Sequence, residues 1–243
     1  MKDQKATIAL VTGASDGIGK ETARQLAAKG IHVLLGSRNL EKGQGVAQEF
    51  KELGLEVEVI QLDISDAGSV QAAAASVTER HERLDILVNN AGIFKDLCPI
   101  SQLPADDLTA TLNTNVVGTF QTTTAFLPLL RKSDHPRVVN VSSGLASLNN
   151  MTDPEHPYYQ TVMPSYAASK AALNVLTIYL ARELKDTGIK INAVCPGLTA
   201  TRYVDTPGAH PVEVGAAIPV QYALINDDGP TGGFFDRNGV HNW

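Results

Sequence analysis

Short apolar runs alternate along the chain with longer segments in which apolar residues recur at helical spacing. Several short runs are apolar without interruption, as in Ile86-Leu87-Val88, which is typical of parallel strands covered by helices on both faces. The alternation indicates parallel strands joined by crossover helices. Seven strands are predicted, at 7–12, 32–37, 56–61, 85–89, 137–142, 190–194 and 233–235.

Six helices are predicted around these strands, at 17–29, 40–53, 65–83, 105–131, 165–187 and 211–223. No internal repeat, low-complexity tract or linker divides the 243 residues. Because α/β domains often reach this length as one unit, we predict a single domain over 1–243. Its fold class is α/β and doubly wound, with about seven parallel strands flanked by helices on both faces.

The segment 149–164 is rich in Pro, Asn, Asp and Tyr and shows no clear periodicity. We predict a surface loop there. Loops between rigid elements often carry binding residues, so this segment is a candidate contact for a ligand.

Composition and charge narrow the classes of partner. Hydrophobic residues make up 43% of the chain and charged residues 19%, which favours a folded globular domain over disorder. The net charge of −6 gives no general attraction to phosphate backbones or anionic lipid. We therefore expect neither a nucleic-acid partner nor a membrane partner.

Cysteine and histidine usage suggests neither a disulfide nor a metal. Cys98 and Cys195 are far apart, with no Cys/His cluster near either. The six histidines are scattered and none is paired at metal-ligand spacing, so no metal is expected. The N-terminus lacks signal-peptide features and no apolar stretch reaches the ~18 residues that span a bilayer. We expect a cytoplasmic protein in a reducing compartment.

A glycine-rich turn follows the first predicted strand and precedes a helix, in the order that a dinucleotide-binding fold requires. It contains Gly13, Ser15, Asp16, Gly17, Ile18 and Gly19. The first glycine permits a tight turn, the second lets backbone approach a pyrophosphate, and the third allows close helix packing. The helix N-terminus adds free N–H groups and a positive dipole end. The alternative is an ordinary glycine-rich turn between strand and helix.

The second strand ends in Ser37-Arg38-Asn39, where NAD-binding folds usually place an acidic residue. Arg38 could pair with a 2′-phosphate and Ser37 could add a hydrogen bond, so NADP(H) is the preferred cofactor. Otherwise Arg38 is a solvated loop cation. Asp16 opposes the assignment because it brings negative charge near the same pocket.

Tyr166 and Lys170 lie four residues apart at the start of a predicted helix and so share one face. A phenol has an ordinary pKa near 10, and a neighbouring cation lowers it by favouring the phenolate. We therefore expect Lys170 to lower the pKa of Tyr166 for proton exchange. The pattern alone is also compatible with a surface pair.

With these motifs assembled, the chain resembles the short-chain dehydrogenase/reductase family over almost its whole length. The supporting motifs include the glycine-rich turn, Leu62-Asp63-Ile64, Asn89-Asn90-Ala91-Gly92, Asn115-Val116-Val117-Gly118, Ser142-Ser143, Tyr166 to Lys170, and Pro196-Gly197 with Thr199 and Thr201. The resemblance implies a Rossmann-type fold and hydride transfer between a nicotinamide and a carbonyl or alcohol carbon.

The resemblance implies a catalytic set of Asn115, Ser143, Tyr166 and Lys170. Tyr166 would give its proton to the developing alkoxide, and Ser143 would hydrogen-bond the same oxygen, with Ser142 as the competing serine. Lys170 would hold the nicotinamide ribose. Asn115 would link Lys170 to a proton relay through water, or otherwise kink a long helix.

The resemblance also implies further cofactor contacts. Asp63 would accept from the adenine amino group with Ile64 beside it; otherwise Asp63 precedes a helix whose N-cap is Ser65. Asn90, Ala91 and Gly92 would lie along the adenosine ribose. Pro196 and Gly197 would face the nicotinamide, and Thr199 or Thr201 could bond its carboxamide or the pyrophosphate.

Two departures resemble the carbonyl reductase-like branch of the family. The interval from Ser143 to Tyr166 is long because of segment 149–164, and the substrate loop at 197–215 is short. These features predict an NADPH-dependent reductase of ketones or aldehydes with an open pocket. Candidate pocket walls, which could instead be loop packing, are Tyr158, Tyr159, Met163 and Tyr203.

Other functions stay open at this point. The enzyme could work as an alcohol dehydrogenase, or the chain could sense NADP(H) without turnover. A small-molecule carbonyl or alcohol is the expected partner. The family resemblance favours a homo-oligomer, a dimer or tetramer, although longer insertions before the tyrosine accompany monomers.

Overall fold

The computed structural model describes residues 6–202, 204 and 207–243. In this part of the chain one sheet has eight strands in the order β3-β2-β1-β4-β5-β6-β7-β8. The strands are β1 (Ile8–Val11), β2 (His32–Ser37), β3 (Val57–Gln61), β4 (Ile86–Asn89), β5 (Arg137–Val141), β6 (Lys190–Val194), β7 (Phe234–Asp236) and β8 (Gly239–Val240). The seven predicted strands are confirmed and pair in parallel.

The eighth strand was not predicted. β8 has two residues and pairs antiparallel with β7, directly after a tight reversal. Two residues are too few to show the alternation by which a strand is recognised in sequence.

Eight α-helices lie in the described part of the chain. They are α1 (Gly17–Ala27), α2 (Leu40–Glu52), α3 (Ala67–Arg80), α4 (Ala105–Leu112), α5 (Thr119–Leu130), α6 (Leu148–Thr152), α7 (Pro164–Glu183) and α8 (Val212–Ala223). One apolar cluster joins α1, α2 and α8 to the sheet, and a second joins α3, α5 and α7 to the sheet. Helices therefore cover both faces, as the unbroken apolar strands require.

The predicted helix at 105–131 is interrupted. A π-helical turn, Asn113–Gly118, separates α4 from α5 and contains the fully buried Asn115. Single π-turns inside helices often occur at functional sites. The sequence suggested a kink at Asn115, and the structure places an irregular turn there.

The predicted loop at 149–164 is partly helical, which corrects that expectation. The Ser147 hydroxyl accepts from Asn150 N–H and caps α6, and a 3₁₀-helix follows at Pro157–Gln160. Elements of four or five residues are too short to show helical periodicity. The segment is thus more structured than its composition indicates.

The order of the strands places a cleft at one edge of the sheet. Successive strands run outward in one direction from β1 to β3 and in the other from β4 to β7. Ligands of doubly wound sheets bind outside the carboxyl ends of the strands, at this reversal.

Among the described helices, none combines the length and apolar character needed to cross a bilayer.

Candidate active site

A cavity of about 630 Å³ lies at the carboxyl edge of the sheet. Residues that follow five different strands line it: Gly13, Arg38, Asn90, Ser143 and Pro196. Residues that are distant in sequence meet here because the strands are parallel.

The glycine-rich turn forms one end of the cavity. Gly13, Ser15, Asp16, Gly17 and Ile18 line it. Gly13 has φ 63°, a conformation that favours glycine. Gly19 lies behind the turn, where an added Cβ would be 2.5 Å from Gly13 O, so only glycine permits this packing of α1.

Asp16 caps α1 and brings a negative charge into the cavity. Its carboxylate accepts from Gly17 N–H at 2.7 Å and forms an ion pair with Arg202 at 2.7 Å. Both side chains are about half exposed. Arg202 was not singled out in the sequence, because an arginine in an irregular loop has no pattern that marks it.

The end of β2 presents one cation to the cavity. Arg38 is exposed, lines the cavity and has no ion-pair partner among the described residues. Ser37 does not reach the cavity, because its side chain is buried and its hydroxyl donates to Asn39 O at 2.7 Å. This corrects the expectation that Ser37 contacts a 2′-phosphate. The Asn39 side chain instead caps α2 by accepting from Lys42 N–H.

The loops after β3 and β4 form the next part of the wall. Asp63 and Ile64 line the cavity, and Asp63 accepts from both the amide and the hydroxyl of Ser65. The N-cap of α3 is Asp66, not Ser65 as expected, because its carboxylate accepts from two first-turn N–H groups. The Asn90 amide donates to Thr12 O at 3.0 Å and so fixes the glycine-rich turn. Ala91 and Gly92 also line the cavity.

Ser143 and Tyr166 meet inside the cavity. Ser143 follows β5 and caps the 3₁₀-helix Gly144–Ala146, and Tyr166 stands in the first turn of α7. A hydrogen bond with Ser143 favours the phenolate form of Tyr166. The competing Ser142 is buried, and its hydroxyl has no hydrogen-bond partner among the described residues. The geometry therefore favours Ser143 as the partner of the phenol.

Lys170 and Asn115 lie behind Tyr166. The Lys170 side chain is buried, and its Nζ donates to Val141 O at 2.7 Å and lies 5.6 Å from the centre of the Tyr166 ring. The Asn115 amide donates to Ile93 O and Ser169 Oγ, and its oxygen accepts from Ile93 N–H. Asn115 thus fixes α7 to the segment after β4, while the water relay stays a prediction.

Burial has the largest effect on the pKa values of Tyr166 and Lys170. It raises the pKa of Tyr166 to about 12, against the smaller opposing effect of Ser143, and lowers the pKa of Lys170 to about 8. The expectation that Lys170 lowers the pKa of Tyr166 is therefore not met in this structure. Desolvation penalises phenolate and ammonium alike. Tyr166 consequently keeps its proton throughout the neutral range.

The segment after β6 completes the cavity. Pro196, Gly197, Thr199 and Thr201 all line it. The Thr199 hydroxyl donates within the segment, to Pro196 O or Gly197 O. Thr201 approaches the glycine-rich turn, since an added Cβ on Gly17 would lie 3.4 Å from it. Thr201 is thus placed near the turn that would hold a pyrophosphate.

Aromatic side chains line the side of the cavity near Tyr166. Tyr158 and Met163 contribute to the wall, as expected, whereas Tyr159 is exposed outside it and Tyr203 lies outside the described residues. Burial raises the pKa of Tyr158 to about 12. Its ring is packed against Gly144, where an added Cβ would be 2.2 Å from Tyr158 Cε2. Phe94, which the sequence did not single out, meets the Tyr166 ring edge to face at 6.1 Å.

These residues fit a phosphorylated dinucleotide. The N-terminus of α1 opens into the cavity, and helix N-termini bind phosphate through free N–H groups and the helix dipole. Arg38 stands at the end of β2, where a 2′-phosphate is distinguished from a hydroxyl. The cavity extends from this cation to Tyr166.

Comparisons with known proteins agree with the geometry. A family model described as short chain dehydrogenase matches residues 7–210. A short-chain dehydrogenase/reductase, ATR10, of Stachybotrys chlorohalonatus is 36% identical, over 96% of this chain and 89% of the relative. (+)-Neomenthol dehydrogenase of Arabidopsis thaliana is 34% identical, over 99% of both chains. Among solved structures, NADPH-bound carbonyl reductase from chicken fatty liver has a TM-score of 0.86 and 26% identity, covering 98% of this chain and 99% of that one.

Proposed function

The chain belongs to the short-chain dehydrogenase/reductase family of oxidoreductases, and we propose that it is an NADPH-dependent reductase of ketones or aldehydes. The observation that carries the proposal is the contact between Ser143 and a protonated Tyr166 in the wall of the carboxyl-edge cavity. Lys170 stands one helical turn behind the phenol.

In the proposed reaction Tyr166 is the general acid. Its raised pKa of about 12 keeps the phenol protonated at neutral pH, so it has a proton to give to the oxygen of a carbonyl substrate. Ser143 hydrogen-bonds the same oxygen and stabilises the charge that develops on it. NADPH, when bound, supplies the hydride that reduces the carbonyl carbon.

Lys170 and Asn115 have supporting roles in this proposal. The Lys170 ammonium would hold the nicotinamide ribose. Asn115 fixes Ser169, the neighbour of Lys170, to the segment after β4. The positions of both side chains are therefore set by buried hydrogen bonds.

The preference for NADPH is part of the proposal. Arg38 is the cation at the end of β2. Solved structures similar to this chain include the NADPH-bound carbonyl reductase and an NADP complex of RhlG from Pseudomonas aeruginosa. A guanidinium can pair with a 2′-phosphate through two parallel hydrogen bonds. The substrate walls Tyr158 and Met163 favour an apolar ketone or aldehyde.

The deciding experiment is the initial rate of absorbance loss at ~340 nm with NADPH or NADH over a panel of ketones and aldehydes. Turnover that favours NADPH supports the proposal. Faster turnover with NADH would contradict the role of Arg38. Binding of cofactor without any turnover would favour a sensor, and alcohol oxidation with no detectable reduction would favour a dehydrogenase.

We also propose a homo-oligomer in a cytoplasmic, reducing compartment. Val117, in the π-helical turn before α5, Phe120, at the start of α5, and Val175 and Tyr179, on α7, are between 42% and 62% exposed. The two helices pack on the same face of the sheet. An exposed apolar surface of this kind suits contact with a second copy. Cys98 and Cys195 are free thiols, which fits the compartment.

A further inference from the structure

Three ligating side chains meet at the edge of the sheet opposite the cavity. His32 is the first residue of β2, Glu58 is in β3, and His81 ends α3 as its C-cap. No spacing in the sequence reveals this cluster, because His32 and Glu58 are 26 positions apart and Glu58 and His81 are 23 positions apart. The fold brings them together.

The register of β2 and β3 explains why these three side chains are close together. Leu34 pairs with Glu58, so His32, two residues before Leu34, lies on the same face of the sheet as Glu58. The helix α3 packs on that face through Val77. His81 therefore lies over the ends of β2 and β3.

The ligand atoms are close enough to share one ion. Nε2 of His32 and Nε2 of His81 lie 3.3 Å and 2.8 Å from the same carboxylate oxygen of Glu58. All three ligand atoms lie within 4.8 Å of one another. Around a tetrahedral Zn²⁺ with bonds of about 2.0–2.1 Å, neighbouring ligand atoms are about 3.3 Å apart. Small side-chain movements would reach that geometry.

We propose that His32, Glu58 and His81 form a binding site for Zn²⁺, with water completing the coordination. Imidazole and carboxylate are donors that Zn²⁺ accepts readily. The side chains are 40%, 22% and 15% exposed, so they are held in place yet open to water and to an entering ion. Burial, with the nearby His32 and Arg80, lowers the pKa of His81 and favours the neutral imidazole that a metal requires.

Arg80 is the competitor for this site. Its guanidinium forms an ion pair with the second oxygen of Glu58, and it also donates to Ser76. The cation opposes a divalent ion by repulsion and by sharing the carboxylate. An ordinary three-way hydrogen-bonded cluster would not respond to zinc, whereas a metal site would bind it more tightly without Arg80.

Zinc at this site would fasten the edge strand of the sheet. β3 is the outermost strand beyond β2, and the three ligands connect β2, β3 and the end of α3. The site lies at the amino ends of the strands, away from the carboxyl-edge cavity. We therefore expect zinc to slow amide exchange in β3 and to leave the catalytic rate unchanged.

The test is titration of the metal-free full chain with ZnCl₂ by calorimetry near neutral pH. One Zn²⁺ per chain is expected, with at least about 10- to 100-fold weaker binding in His32→Gln and His81→Gln. His135→Gln is the matched control, because His135 is an exposed histidine paired with Asp227, outside the cluster. It should bind zinc as the unaltered chain does.

Arg80→Gln provides a second test that keeps all three ligands. It should bind Zn²⁺ more tightly than the unaltered chain, and β3 amides should exchange more slowly when zinc is added. The proposal is overturned if the unaltered chain binds no zinc, if His32→Gln and His81→Gln bind it undiminished, or if Arg80→Gln binds it no more tightly.

Discussion

Asp16 in the glycine-rich turn and Arg202 in the segment after β6 form a 2.7 Å ion pair at the cavity. The pair places a carboxylate where the proposed cofactor carries its phosphates. It also joins the turn to the short substrate loop. The charge of Asp16 therefore opposes cofactor binding while its partner partly neutralises it.

Asp16→Asn should strengthen NADPH binding by about fivefold, corresponding to about 1 kcal/mol from one removed charge near the phosphates. Asparagine keeps the cap of α1, since Asn and Asp cap helices about equally well. Quenching of protein fluorescence by NADPH measures the affinity. Asp66→Asn, at the cap of α3, is the control and should leave it unchanged. Weaker binding in Asp16→Asn would contradict this account of the charge.

Arg38→Ala should lower kcat/KM for NADPH by about 10- to 100-fold and change that for NADH little. The loss corresponds to one or two charge-assisted hydrogen bonds to the 2′-phosphate. Steady-state rates with both cofactors provide the comparison. Lys42→Ala removes an exposed cation of α2 outside the cavity and should preserve the preference. Equal losses with both cofactors would show that Arg38 does not read the 2′ position.

Tyr166→Phe should reduce turnover by about 10²- to 10⁴-fold, the usual contribution of a general acid, while NADPH still binds. The matched control is Tyr158→Phe, which removes the other half-buried phenol of the cavity. It should retain most of the rate. Single-turnover reduction separates chemistry from product release, and an unchanged rate in Tyr166→Phe would exclude the proposed mechanism.

Lys170→Met should abolish turnover yet stabilise the fold at pH 7 by about 2 kcal/mol. Burial lowers the pKa of Lys170 from 10.5 to about 8, which costs the folded chain about 3 kcal/mol of stability. The variant avoids this cost but loses the hydrogen bond to Val141, which is worth about 1 kcal/mol. The unfolded chain binds more protons between pH 8 and 10.5, so the stability of the unaltered chain should rise there, while the full cost is present below pH 8.

Urea unfolding at pH 7 and at pH 10 measures the difference in unfolding free energy between Lys170→Met and the unaltered chain. The stabilisation by Lys170→Met should shrink at the higher pH, where the folded chain holds Lys170 uncharged. If the variant is less stable than the unaltered chain at pH 7, other interactions in the folded protein offset the cost of burying the Lys170 ammonium, and the prediction is wrong.

Phe120→Asp combined with Tyr179→Asp should give particles of one chain in light scattering, against two or four chains for the unaltered protein. A charge in an apolar contact between copies would be buried without a partner. Leu53→Asp, at an exposed apolar position after α2 on the opposite face, should keep the assembly. A single-chain particle for the unaltered protein would refute the proposed oligomer.

The sequence predicted the parallel sheet and the meeting of the motifs at its carboxyl edge, because both follow from local patterns. A strand followed by glycines, or by Ser142-Ser143, places those residues at the same edge wherever the strands are parallel. The roles assigned to the catalytic residues stay predictions.

Side-chain direction and burial were beyond the sequence. Ser37 and Arg38 are adjacent, yet the Ser37 hydroxyl is buried and donates to Asn39 O, whereas the Arg38 side chain lines the cavity. The protonation of Tyr166 depends on how deeply its surroundings exclude water, which spacing from Lys170 does not encode. Contacts between distant segments, such as Asp16 with Arg202, likewise depend on tertiary structure.

The packing of Tyr158 on Gly144 has a consequence for engineering. Gly144 does not line the cavity, yet any side chain there would meet the Tyr158 ring and displace it. With Tyr158 as a substrate wall, as proposed, substrate scope would also depend on a position that saturation mutagenesis of the visible lining would omit. A directed-evolution library for bulkier ketones should include Gly144, since a single methyl group there would displace the Tyr158 ring and change the shape of the cavity wall.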